Sequence, residues 1–157
     1  MANEQARAAV FVGVEQPLEI RSYPILPPST GNVPLSLVVS GVCGTDIHIL
    51  RGRIPVPAPL ILGHEFVGRV DAWGGRHPPR DGLGRLLRRG DLVVACVAIP
   101  CGHCFNCRRG ETASCLNFGV TYVKNPEQPP HFFGGYAEHL FSPAANLVRI
   151  PRGVQVR

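Results

Sequence analysis

Four cysteines spaced C-x2-C-x2-C-x7-C, at Cys101, Cys104, Cys107 and Cys115, constrain this chain more than any other feature. Gly102 and Gly110 let the backbone turn back on itself between them. Tetrahedral zinc needs four sulfurs within about 2.3 Å of one ion, and close spacing brings them there at little loop-closure cost. An iron–sulfur cluster also takes four cysteines, but bacterial cluster runs place proline after the last one. Here Leu116 follows Cys115. Four unligated thiols would be a reactive cluster without purpose, so the lobe reads as a structural zinc site. The opening Met-Ala-Asn-Glu-Gln-Ala-Arg has no apolar core followed by a small-residue cleavage site. The expectation is a cytoplasmic protein whose thiols stay reduced and free for metal.

Outside the lobe, 18 glycines and 16 prolines in 157 residues disfavour long helices and favour short strands joined by tight turns. Residues 8–14, 18–22, 35–42, 65–72, 91–98, Gly134 to Phe141 and Asn146 to Ile150 read as strands, residues 45–51 as one or two helical turns, and Pro55, Pro57 and Pro59 force an extended approach to the apolar run Leu60 to Leu62. Hydrophobic residues make up 45% of the chain, enough for a core, and no run is long enough to span a membrane. The net charge of +5 comes almost wholly from arginine and is concentrated between Arg76 and Arg89. That stretch carries Gly, Pro and Leu rather than aromatic residues or a recognition helix, so it reads as a solvated loop within 74–90 and not as a nucleic-acid surface. No strand, glycine-rich turn and long helix occur in succession, and G-x-G-x-x-G is absent.

A second set of ligand types lies upstream. Cys43 ends a predicted strand, and His64-Glu65 follows the apolar run Leu60 to Leu62 through Gly63. Each residue alone is weak evidence: a lone cysteine beside an apolar strand is usually core, a lone histidine usually at the surface or satisfied by hydrogen bonds, and a lone glutamate can be any exposed carboxylate. Together, one sulfur, one imidazole and one carboxylate suit a zinc that keeps a fourth position open. Cys96, between apolar neighbours, reads as a small buried side chain. His77, His103, His131 and His139 are left out of both sets.

Cys43-Gly44-Thr45-Asp46-Ile47-His48, Gly63-His64-Glu65-Phe66-Val67-Gly68 and Cys101 to Gly110 resemble the zinc-dependent medium-chain alcohol dehydrogenases, in particular the threonine and polyol dehydrogenase branch. Gly134 to His139 and Leu147 to Pro151 resemble the closing strands of the same catalytic half. The resemblance implies one mainly β domain over 1–157, a chaperonin-10-like (GroES-like) partly open β-barrel. It has few short helices, a zinc lobe at about 99–117 and no Rossmann portion. Two zinc ions per chain follow, one on Cys43, His64 and Glu65 and one on the four lobe cysteines. Glu65 would be a direct or alternating ligand. The first ion would polarise a small alcohol or aldehyde for hydride transfer. Thr45 matches the hydroxyl that passes the substrate proton on, and His48 the outer end of that relay. Asp46 matches a carboxylate behind the ligands that orients His64. In that branch a further glutamate ligand follows the stretch matching Ile150 to Val154, beyond Arg157.

NAD(P) would then come from a separate nucleotide-binding polypeptide or segment, and homo- or hetero-oligomers are expected. No nucleic-acid or membrane partner is expected. Two other functions fit the same residues. One is a stand-alone zinc protein doing lyase- or hydration-type Lewis-acid chemistry with Glu65 or zinc-bound water as base. The other is a binding module that uses zinc for stability alone.

Overall fold

Alternation of small and apolar side chains along Gln5–Phe11 buries Ala6, Ala8 and Val10 on one face, and this stretch forms the first strand, β1. A computed structural model of the chain describes residues 4–96, 100–117 and 124–156. Strand β1 pairs antiparallel with β2 (Glu19–Pro24) on one side and with the two-residue β4 (Leu60–Ile61) on the other. A second, five-stranded sheet has the order β7-β3-β5-β6-β8, with β3 at Asn32–Ser40, β5 at Phe66–Val70, β6 at Leu92–Ala95, β7 at His139–Pro143 and β8 at Leu147–Arg149. All of its pairs are antiparallel. The chain just before β7 joins the two sheets: Ala137 bridges Ala8, Ala9 N donates to Tyr136 O at 2.7 Å, and Glu138 N donates to Arg7 O at 2.9 Å. That seam curls the structure into the mainly β half-barrel expected from the sequence, and the described residues include no Rossmann portion. The helices are short: α1 (Gly44–Leu50) and α2 (Phe105–Arg108).

The expected strands form, with shifted ends. Strand β3 begins at Asn32, three residues before the sequence pattern suggests, and includes Pro34. A residue's N and C=O point to the same side of a strand, and Pro34 O accepts from Asp71 N at 3.1 Å, just past the end of β5. The missing N–H of Pro34 therefore faces the side where β5 has ended, so it forfeits at most the return bond to Asp71 and leaves the pairing with β7 intact. Register slips between Leu37 and Val39, a bulge that re-aims the strand shortly before Cys43. Residues 134–138 are held by the seam but belong to no strand. In 91–98, the strand ends at Ala95, and residues 97 and 98 lie outside the described residues.

Two further readings are corrected. Cys96 is exposed rather than buried, since it follows the end of β6; its N donates to Asn146 O at 2.7 Å and its O accepts from Asn146 Nδ2 at 3.3 Å. The basic loop is more than a solvated connection. Arg76, Arg80, Arg88 and Arg89 are exposed, but Leu87 is fully buried in the main cluster with Val33, Leu35, Val70 and Val93. Asp81 in the same loop is also buried. His131 and His139, left out of both metal sets, lie inside. His131 stacks on Tyr23 with ring centroids 5.2 Å apart, and His139 meets Phe132 and Phe141 edge-on. Burial pushes the pKa of His139 down despite Asp71 nearby.

Candidate metal centres

Cys43 is the N-cap of α1, so its sulfur is fixed at the junction between the end of β3 and the first helical turn. The run Leu60 to Leu62 enters the core and Gly63, at φ +88°, turns the backbone so that His64 and Glu65 emerge opposite Cys43. The structure brings one ligand atom from each of Cys43, His64 and Glu65 within 4.8 Å of one another. Glu65 O accepts from Gly41 N at 2.8 Å, and a Cβ on Gly41 would come within 3.3 Å of Glu65 Oε2. Glycine at 41 thus leaves room for the carboxylate. One sulfur, one imidazole and one carboxylate at this spacing fit a single zinc with an accessible face, because Cys43 and His64 are half-buried while Glu65 is exposed.

Behind these groups lies Asp46, 2% exposed. Its Oδ2 accepts from Cys43 N at 2.9 Å, and its Oδ1 accepts from Gly63 N at 3.3 Å and sits 3.7 Å from His64 Nδ1. Metal-binding histidines commonly present their second ring nitrogen to such a carboxylate. Thr45 Oγ1 is 3.7 Å from Cys43 Sγ, so this hydroxyl is beside the centre, and His48 lies one helical turn further on, exposed. Sequence reasoning missed Tyr136. Its hydroxyl donates to Asp46 Oδ2 at 2.9 Å, and its pKa is pushed well above the usual phenol range by burial and by the Asp46 carboxylate. The only signal was an aromatic residue after Gly134-Gly135, and nothing in the sequence ties it to Asp46.

In the lobe, Sγ atoms of Cys101, Cys104, Cys107 and Cys115 all lie within 4.8 Å of one another. The Cys101–Cys107 and Cys104–Cys115 separations are 3.9 and 4.0 Å. A tetrahedron with Zn–S of about 2.3 Å has edges of about 3.8 Å, so the four sulfurs fit zinc. Amide groups point at them: Cys101 N to Cys115 Sγ at 3.4 Å, Cys104 N to Cys101 Sγ at 3.3 Å and Cys107 N to Cys104 Sγ at 3.5 Å. The His103 amide leads in drawing the Cys101 thiol down to about 5, and the Cys107 amide lowers Cys104. Burial and the adjoining sulfurs push Cys107 up to about 12. Sulfurs this close are not all charged unless a cation lies among them. His103 stays outside the set, with Nδ1 2.8 Å from Cys101 O. Among the described residues, these two are the groups of three or more histidine, cysteine or carboxylate side chains spaced to hold a metal.

Residues 29–152 match the alcohol dehydrogenase GroES-like domain. The chain belongs to that family. This GroES-like domain is 35% identical over 144 residues to starvation-sensing protein RspB of Escherichia coli, covering 90% of the chain and 38% of that relative. It is 38% identical over 119 residues to L-threonine 3-dehydrogenase of Idiomarina loihiensis, covering 73% of the chain and 31% of the relative. A crystal structure of an alcohol dehydrogenase from Thermotoga maritima superposes with a TM-score of 0.87 at 34% identity, covering 97% of this chain and 42% of that one. The GroES-like domain therefore spans less than half the length of the proteins it matches. Among the described residues, no helix is long and apolar enough to cross a membrane.

Proposed function

We propose that residues 1–157 form the single zinc-binding catalytic domain of an alcohol dehydrogenase-type oxidoreductase acting on a small alcohol or aldehyde. The observation that carries this reading is the convergence of Cys43, His64 and Glu65, drawn from separate segments, on a space one ion wide. These three residues would hold the catalytic zinc, and Cys101, Cys104, Cys107 and Cys115 a structural one. At the first site zinc supplies Lewis-acid polarisation of a substrate oxygen. The chain's own groups do the rest. The Thr45 hydroxyl, donor and acceptor at once, can take a proton from a substrate alcohol while giving up its own. His48, exposed at the next helical turn, can carry that proton to solvent. Asp46 keeps the His64 ring and the Cys43 amide in place. Hydride transfer calls for NAD(P) bound by a nucleotide domain outside these residues. Reduced lobe thiols favour a cytoplasmic location, and an assembly with that domain or with further copies is expected.

Metal analysis tests the reading. Purified chain reconstituted with zinc should hold two ions, and Cys43→Ala should hold one. Two ions in Cys43→Ala, or one in the unaltered chain, would sink it. Titration with NAD(H) or NADP(H), with and without a nucleotide-binding polypeptide, then separates redox from non-redox use: saturation only with that polypeptide supports hydride chemistry.

A further inference from the structure

Asp46 is an almost fully buried carboxylate whose two oxygens face different jobs. Oδ1 lies toward His64 and Gly63, while Oδ2 is shared by Cys43 N and the Tyr136 hydroxyl. A carboxylate turns readily about its last side-chain bond, because that torsion is broad and nearly two-fold. What sets its angle is the set of donors around it. Cys43 N belongs to the same helical turn as Asp46 and moves with it. Tyr136 does not.

Tyr136 arrives from the seam between the two sheets, ninety residues away in the chain. Its backbone is tied on both sides, N to Leu62 O at 2.9 Å and O to Ala9 N at 2.7 Å, and Gly135 N bonds Gly63 O at 2.8 Å. The ring packs into two apolar clusters, one with Phe11, Leu60 and Leu62, the other with Val10, Ile61 and Phe132. It also lies directly against Gly63, where an added Cβ would be 2.7 Å from Tyr136 Cδ1. The hydroxyl is thus presented by rigid structure.

Building on the zinc reading above, we propose that Tyr136 is a positioning residue of the Cys43, His64 and Glu65 centre, acting through Asp46. Its hydroxyl locks the carboxylate angle and so keeps Oδ1 toward His64. Without that bond Oδ2 keeps one donor, Asp46 gains rotational freedom, and His64 loses its fixed partner. Tyr136→Phe retains the ring and its packing and removes the hydroxyl alone.

The test is zinc affinity, read by chelator competition on the full chain. Removing a partner behind a metal ligand typically weakens binding about 10- to 100-fold. Tyr136 is one step further out, so Tyr136→Phe should weaken the Cys43 site about 10-fold and leave the four-cysteine site unchanged. The sulfur-to-metal absorption band of cobalt at the Cys43 site should shift or broaden in the same variant. In an Asp46→Asn background, Tyr136→Phe should add nothing further, because the two groups act in series. Trp73, packed on the main core cluster, serves as the fold control by its emission. Affinity within twofold of the unaltered chain, an undiminished loss in the Asp46→Asn background, or Trp73 emission reporting unfolding would overturn the proposal. An unaltered chain that takes up one zinc only would instead overturn the zinc reading itself, before any variant is made.

Discussion

Replacing Asp81 with alanine tests whether the basic loop is held by one buried carboxylate. Asp81 Oδ1 accepts from Leu83 N at 3.0 Å and Arg85 N at 2.8 Å, and Oδ2 accepts from Arg149 N at 3.0 Å and Arg85 Nε at 3.2 Å. The Arg85 side chain is over a third exposed, so that ion pair adds little. The three amides remain. Each loses about 1 kcal/mol of net hydrogen bonding, for about 3 kcal/mol in all. In a chain of this size each kcal/mol moves Tm by about 2–4 °C, so Asp81→Ala should melt about 6–12 °C lower at pH 7. Burial raises the pKa of Asp81, but the amides of Arg149, Arg85 and Leu83 outweigh it and hold the carboxyl below its ordinary value of 3.8. A depressed pKa means the stabilisation is fully present above that ordinary value and is lost as pH falls through the lower folded one. The gap between unaltered chain and variant should therefore be flat from pH 7 to 5 and shrink below pH 3.8. Thermal unfolding followed by circular dichroism at matched pH reads both. A shift under about 2 °C at pH 7, or a gap that widens on acidification, would refute the reasoning.

Leu87→Ala, in the same loop, should cost about 2–4 kcal/mol, seen as a lower urea midpoint at unchanged slope, because Leu87 is fully buried. Gly63→Ala should strain a position at φ +88° by about 1–3 kcal/mol and press on the Tyr136 ring; zinc analysis should find the lobe ion kept and the other reduced. Cys107→Ser should leave one zinc per chain, still displaced by a second substitution at His64.

Much of this was legible because local patterns coincide with tertiary ones. The lobe cysteines are close in sequence and close in space, so their spacing alone indicates a shared ion. Strands β1 and β5 follow their alternation. What escaped depends on distant contacts. Pro34 looks like a strand breaker until β5 is seen to end beside it. Leu87 and Asp81 sit among arginines whose composition suggests solvent, yet Leu87 fills a core gap and Asp81 caps amides of its own loop and of Arg149. Cys96 follows an apolar strand but lies past its last paired residue. Tyr136 gained its role from a carboxylate on another element, a pairing no periodicity encodes.

The two metal centres differ in how much chain each must gather. Cysteines 101 to 115 close a short loop, so even a collapsed or partly melted chain can collect them around an ion. Cys43 and His64 meet only when β3 with its bulge, α1 and the turn at Gly63 are all in place. On the proposed zinc reading, uptake by the lobe would accompany synthesis, whereas uptake beside Asp46 would follow completed folding. Chelator added during refolding should strip the late ion while sparing the early one.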